Sequence, residues 1–308
     1  MDTDNLIDDE RPLTLNMPTV TTKKLGMISG VTIPCILSMF SIVLFLRVGY
    51  LVGYVGIVPG LLILGASYFI VMMTVLSLCA LCTNGTISSG GAYYMISRTL
   101  GPEFGASIGI MFFLANIASC ALYILGLTET ILANFGIENG SKANILPESY
   151  FWNILYASSV LLFCTVICTL GSQLYSKSVG AVFLVVFICI CSIYTSFLTT
   201  KPFLLTTVPR NASLSINYTS FSYENFNQNL NSKFNINTTP DYLSSKIPTF
   251  MTVFAVFFNG CIGVMAGVNV SGELQFPEKA IPKGTIIAVM STFVIYIGKL
   301  RNIWARYI

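Results

Sequence analysis

Seven stretches of this chain are dominated by apolar residues, and short polar segments separate them. The stretches cover residues 28–50, 57–82, 104–134, 151–171, 178–199, 249–272 and 284–298. A helix needs about 20 residues to cross a membrane, and all but the last stretch are long enough. The last, with ~15 residues, is expected to be a partial span. The pattern predicts an all-α membrane protein.

Polar and glycine residues interrupt the first and the sixth of these spans near their middles. The interruptions are residues 38–41, Ser-Met-Phe-Ser, and residues 259–263, Asn-Gly-Cys-Ile-Gly. Lipid offers no hydrogen-bond partner to a loosened backbone, so such a segment must line a cavity. Paired broken helices point to the binding site of a secondary transporter. Alternatively, Gly260, Gly263 and Gly267 only allow close packing between membrane helices.

A helix broken at mid-membrane exposes backbone partial charge. Its N-terminal ends offer unpaired N–H groups to anions, and its C-terminal ends offer unpaired carbonyl groups to cations. The expected anion-binding ends are Ser41, Ile42, Val43, Gly263, Val264 and Met265. The expected carbonyl ends lie near Ser38 and Asn259, where Tyr123 of the third span can add a phenolic oxygen.

The distribution of charge predicts an orientation in the membrane. The acidic N-terminal tail, residues 1–24, ends in two lysines, and we expect it to stay in the cytosol. Spans then alternate in direction, which places Arg98, Lys177, Lys279 and Lys283 in inner loops, as the positive-inside bias requires. The basic end, residues 299–308, falls outside against this bias. We therefore expect a truncated or alternatively ended product that does not transport by itself.

Residues 200–248 form a polar segment rich in Asn, Ser and Thr, which this orientation places outside the cell. Four Asn-x-Ser/Thr triplets fall in outer segments and are predicted glycosylation sites. They are Asn139, Asn211, Asn217 and Asn237. Asn84 and Asn269 also match the triplet, but they fall on the cytosolic side, where we expect no modification. The segment is too poor in apolar residues to form a large core of its own.

Composition argues against several other functions. With 54% hydrophobic and 9% charged residues, the chain belongs to the membrane class. It has no histidine, and its nine cysteines all lie in apolar stretches, so we expect neither a metal site nor a cofactor. It also lacks a glycine loop for nucleotides and a basic patch for nucleic acid. We therefore expect no enzyme and no nucleic-acid partner.

Several stretches resemble the cation-chloride cotransporters, solute carrier family 12, of the amino acid-polyamine-organocation superfamily. They are residues 30–47, 90–105, 267–274 and 280–284. The resemblance extends over residues 25–298. It implies a LeuT-like inverted-repeat fold with broken first and sixth helices. This chain would hold the first repeat and the start of the second.

The resemblance also implies roles for individual residues. In ion-coupled members, potassium is held by residues that match Ser38, Met39, Tyr123, Asn259 and Ile262. Chloride is held by backbone that matches Ser41, Ile42, Val43, Gly263, Val264 and Met265. Asn259 and Ile262 replace the usual Pro and Thr, as in one branch of the family, so the cation seat lacks one side-chain oxygen. Arg47 and Glu129 match a pair that forms an external gate.

Three functions remain open from the sequence. The first is secondary active transport of chloride with potassium or another small monovalent cation, by alternating access. The second is a non-transporting subunit that binds and modulates another cotransporter. The third is a permease for amino acids or polyamines. In each case we expect a multi-pass protein of the plasma membrane or an endolysosomal membrane, in contact with lipid and paired with a second copy or another cotransporter.

Overall fold

The computed structural model describes most of the chain between residues 24 and 304. The described residues are 24–41, 43–48, 55–85, 90–137, 145–169, 172–201, 203–207, 214–218, 227, 230 and 250–304. They are mostly helical, as the apolar pattern predicts. Within these ranges, seven segments are long and apolar enough to cross a membrane. Spans one to seven are Ile28–Arg47, Ile57–Thr83, Pro102–Phe135, Tyr150–Thr169, Ser178–Ser196, Phe250–Asn269 and Pro277–Leu300.

The described helices and strands follow in this order along the chain. The helices are α1 Ile33–Met39, α2 Ile57–Thr83, α3 Gly91–Leu100, α4 Pro102–Phe135, α5 Tyr150–Thr169, α6 Ser172–Thr199, α7 Phe250–Cys261, α8 Ala266–Asn269 and α9 Pro277–Trp304. Two π-helical segments, Ile28–Thr32 and Val43–Arg47, precede and follow α1 within span one. A 3-10 turn, Ser271–Glu273, follows α8.

Span seven is longer than the partial span predicted from residues 284–298. Its helix α9 begins at Pro277, which suits a first helical position because proline has no N–H to leave unpaired. Lys279 and Lys283 lie in the first turns of this helix, where their charges hid the helix start from the apolar pattern. The segment therefore has the length of a full span, 24 residues.

The polar segment between spans five and six contains a β-hairpin that the sequence pattern did not predict. Strand β1, Phe203–Thr207, pairs antiparallel with β2, Leu214–Tyr218. Leu204 and Asn217 lie opposite each other in the register. The other predicted glycosylation residues, Asn139, Asn211 and Asn237, lie outside the described residues. Glycosylation of all four residues stays a prediction.

Spans one, two, six and seven form the packed core. In the apolar 18-residue core of each span, half of the residues of span one are buried, and about four-tenths of those in spans two, six and seven. In spans three, four and five the buried share is only 0–6%. Two apolar clusters result among the described residues. The first, which we call the outer cluster because the predicted orientation places it nearer the outside, includes Met39, Leu44, Tyr68, Phe257 and Tyr296. The inner cluster includes Val31, Cys35, Met95, Val268 and Ile281.

The N-terminal end of span one and the segment that follows span six are joined through the backbone. Leu25 N donates to Glu273 O at 2.8 Å, and Gln275 N donates to Leu25 O at 3.1 Å. Above this contact, Gly267 has no room for a side chain, since a methyl group there would lie 2.5 Å from Val31 Cγ1. Small residues thus let the two spans approach closely, as expected for helix packing in membranes.

Candidate ion-binding site

Span one leaves helical geometry at Phe40 and Ser41, which we call the first interruption. Helix α1 ends at Met39, where the Phe40 N–H closes the last turn by donating to Ile36 O at 2.8 Å. Phe40 then adopts φ −77° and ψ 63°, which ends the helix. The buried Ser41 is not helical, and helical backbone resumes at Val43. The helix thus extends through Ser38 and Met39, slightly beyond the predicted start of the break.

Span six leaves helical geometry at residues 262–265, which we call the second interruption. Helix α7 runs through Asn259 and Gly260 to Cys261, so the helix ends later than the sequence predicted. Gly263 has φ 149°, a conformation that L side chains rarely adopt. The chain turns at Val264 and Met265 before α8 begins.

The second interruption is in direct contact with helix α1, immediately before the first interruption. A methyl group on Gly263 would lie 2.8 Å from both the carbonyl carbon and Oγ of Ser38, and 2.9 Å from Met39 N. Cys35 Sγ donates to Val264 O at 3.3 Å, which joins the same two segments from the buried side. The glycines therefore do permit close packing, and at Gly263 the packing coincides with a non-helical backbone.

A cavity of about 650 Å³, which we call the central cavity, lies between spans one, three and six. It brings together Ser38, Tyr123, Asn259 and Ile262 of the expected cation site, and Gly263 and Met265 of the expected chloride site. The other lining residues are Phe112, Ala115, Asn116, Ala118, Ser119, Leu122, Ala266 and Asn269. None of these lining residues carries a charge. The wall is therefore neutral and partly polar.

Several expected site residues do not line this cavity. Met39 is fully buried in the outer cluster, and its carbonyl oxygen accepts a hydrogen bond from Tyr296. Ser41 and Val264 are also buried. Ile42 lies outside the described residues, and of Val43 only the backbone is described. Their predicted roles therefore remain predictions.

Three polar residues of the cavity wall were not predicted from the sequence. Two of them, Asn116 and Ser119, lie on α4 one helical turn apart. The predicted Tyr123 follows one turn later, so Asn116, Ser119 and Tyr123 share one face of that helix. This helical spacing of polar residues in an apolar span is a signal that the sequence does contain. Asn269, at the end of α8, stood out in the sequence only as part of a triplet expected to be unmodified.

Helix α9 supplies polar groups to both interrupted spans, which was not predicted either. Tyr296 Oη donates to Gly260 O at 2.8 Å and to Met39 O at 3.1 Å. Lys299 Nζ donates to Leu44 O, and its ammonium lies 5.0 Å from the centre of the Phe45 ring. A tyrosine and a lysine near the end of an apolar span resemble ordinary interfacial residues, so their sequence gives no signal for these contacts.

Arg47 and Glu129 form an ion pair at the end of span one. Arg47 Nη2 lies 3.2 Å from Glu129 Oε2, and the two side chains are 46% and 60% exposed. At that exposure an ion pair stabilises a fold by less than about 1 kcal/mol. Where it faces water, such a pair can open and close, and the role of an external gate is a proposal for it.

Comparison with known proteins agrees with this architecture. The pattern of the family described as Amino acid permease matches residues 30–303. The chain is 45% identical over 299 residues to solute carrier family 12 member 9 of Xenopus laevis, covering 94% of this chain and 33% of that protein. Against the protein of the same name from Homo sapiens, the identity is 45% over 284 residues, with 89% of this chain and 31% of that protein covered.

A more distant relative carries a functional name. The chain is 38% identical over 278 residues to vacuolar cation-chloride cotransporter 1 of Saccharomyces cerevisiae, covering 89% of this chain and 24% of that protein. The chain thus spans at most about a third of the length of these relatives. It is an integral, multi-pass membrane protein that belongs to the amino acid permease family and, within it, to solute carrier family 12.

Proposed function

We propose that the protein carries chloride together with a small monovalent cation, by alternating access around the two interruptions. The observation that supports this most is the uncharged central cavity, which is bordered by Ser38 near the end of α1, by the second interruption and by Tyr123. Since the chain spans about a third of its relatives, the activity is proposed for the longest product that carries residues 1–308.

A neutral cavity favours the binding of two opposite charges over one. A single ion taken from water into a site without a countercharge costs several kcal/mol. An anion and a cation bound together offset each other, and the dipoles of Ser38, Asn116, Asn259 and Tyr123 replace part of their hydration shells. A wall without lysine or arginine binds chloride weakly enough for the ion to leave again. Cotransport is therefore the mode that this cavity supports best.

Ion flux tests the proposal. Cells expressing the longest product should take up radiolabelled chloride, and replacing external potassium by a large impermeant cation should reduce that uptake severalfold. Uptake of a potassium tracer should in turn require chloride, because each ion neutralises the other in the cavity. Chloride uptake at the level of untransfected cells, with the protein present in the membrane, would contradict the proposal.

A second candidate function is a subunit that modulates another cotransporter. Ile262 favours it, because this side chain is 48% exposed and presents hydrocarbon to the cavity where a cation needs oxygen ligands. This candidate predicts no flux from the protein alone. It predicts altered flux through a co-expressed cotransporter that co-purifies with it, as a heteromer.

A third candidate, a permease for amino acids or polyamines, is favoured by the size of the cavity. A volume of about 650 Å³ admits a small organic solute as well as hydrated ions. Under this candidate, arginine or spermidine at millimolar concentration should compete with uptake of the labelled solute. Under the first candidate, neither compound should reduce chloride flux.

A further inference from the structure

The hydroxyl group of Tyr296 lies between the C-terminal ends of the two interrupted helices. Its acceptors are Gly260 O at 2.8 Å and Met39 O at 3.1 Å. Met39 is the last residue of α1, and Gly260 is the last but one of α7. Carbonyl groups in a final helical turn have no partner within their own helix. One phenolic hydrogen is therefore shared by two carbonyl groups from different spans.

The surroundings of Tyr296 fix the direction of this hydroxyl group. The side chain is fully buried, and its ring packs edge-on against the ring of Tyr68 at 6.1 Å between centroids. Tyr68 in turn contacts the ring of Phe293 at 4.8 Å. This aromatic cluster holds the phenol in one orientation, and a phenylalanine would keep the same ring contacts. The polar contacts of the hydroxyl group, which are mainly its hydrogen bonds to the two carbonyl groups, would be lost.

The two acceptors lie one residue behind the wall of the central cavity on each span. Ser38 precedes Met39, Asn259 precedes Gly260, and both Ser38 and Asn259 line the cavity. We propose that Tyr296 is a positioning residue, which joins the backbone of Met39 to that of Gly260. It thereby sets the distance between Ser38 and Asn259 on the cation side of the cavity, the part of the wall where the cation is expected to bind. The effect on cation binding rests on the proposed function, whereas the junction between the spans does not.

Neighbouring residues on the same face of α9 act on the same segments. Thr292, one turn before Tyr296, places its Oγ1 3.6 Å from Met39 Sδ. Lys299, one turn after it, donates to Leu44 O on the other side of the first interruption. Positions 292, 296 and 299 share one helix face by their spacing. This face of α9 therefore supports the backbone of span one before and after its interruption.

Thiol labelling tests the junction without requiring transport. Cys261 is fully buried next to Gly260, and Cys82 is fully buried in the inner cluster, away from Tyr296. In membranes containing the longest product, Tyr296→Phe should increase the rate at which a permeant maleimide modifies Cys261 severalfold, as measured by peptide mass spectrometry. Labelling of Cys82 should not change, which excludes general unfolding.

Tyr194→Phe is the matched control. Tyr194 Oη donates to Ile295 O at 2.7 Å, so this variant also removes a phenolic bond to a carbonyl of α9, but one that joins α9 to α6 rather than to the interrupted spans. It should leave Cys261 protected. An equal effect of both variants on Cys261, or no effect of Tyr296→Phe, would overturn the proposal.

Ion kinetics test the consequence for the cation side. In a protein that transports, Tyr296→Phe should raise the KM for the cation about tenfold, the size expected when a buried carbonyl loses its partner. The KM for chloride should stay within about twofold of wild type, because neither acceptor of Tyr296 belongs to the expected chloride site. An unchanged cation KM would overturn the positioning role. Wild-type protein without flux would contradict the proposed function alone, and Cys261 labelling would still decide on Tyr296.

Discussion

Replacing Gly263 with alanine is expected to abolish ion transport. The added methyl group would lie within 2.9 Å of Ser38 and Met39 backbone atoms, which cannot move without shifting span one. The backbone at Gly263, with φ 149°, would also be strained by any L side chain. Together these effects cost about 2–5 kcal/mol. The variant must therefore move the second interruption away from α1 or change the backbone conformation of the second interruption.

The measurement for Gly263→Ala is chloride uptake per copy of protein at the membrane. Gly65→Ala is the matched control, because Gly65 lies inside α2 with nothing within 4 Å of an added methyl group. Alanine there favours the helix by up to about 1 kcal/mol. Uptake should fall to background in the first variant and stay normal in the second. Normal uptake in Gly263→Ala would show that the close contact between the second interruption and α1 is not needed for transport.

Replacing Phe257 with alanine is expected to cause the largest loss of stability. Phe257 is only 1% exposed and lies in the outer cluster, which also contains buried side chains of spans one, two and seven. Lipid is as apolar as the core, so the cost comes mainly from the empty space left behind and from the van der Waals attraction that the ring no longer provides. We expect about 3 kcal/mol, near the lower limit for such truncations in soluble proteins.

Thermal unfolding of the purified protein in detergent measures this effect. Phe250→Ala serves as control, since Phe250 lies at the start of the same helix and is 46% exposed. Phe257→Ala should lower the apparent Tm by several degrees, as about 3 kcal/mol implies for a chain of this size. Phe250→Ala should change it little. Equal shifts for the two variants would contradict this packing of span six.

Much of the fold was predictable because its determinants are local. Apolar stretches of sufficient length identified the spans, since lipid tolerates backbone only when it is hydrogen-bonded internally. Asn259 and Gly263 marked span six as unusual because an amide and a glycine do not favour a lipid-facing helix. Ser38, Tyr123 and Asn259 line one cavity in the structure. The binding of ions in this cavity stays a prediction.

The parts that could not be predicted depend on contacts between distant residues. Tyr296 lies 257 residues from Met39 in the chain, and no periodicity within α9 specifies that its hydroxyl meets that carbonyl. Asn116 and Ser119 were recognisable by spacing, but only the position of α4 against spans one and six shows that their face meets the cavity. The start of α9 was hidden because lysines in its first turns broke the apolar pattern.

The location of a bound halide would show whether the two interruptions form an ion site. Bromide scatters anomalously and replaces chloride in most chloride sites, so crystals of the longest product grown in bromide would show where the anion binds. We expect one strong peak where the central cavity meets the second interruption, within hydrogen-bond distance of a backbone N–H group at Gly263, Val264 or Met265. A well-ordered cavity without bromide, with peaks only on the protein surface, would contradict the proposed site.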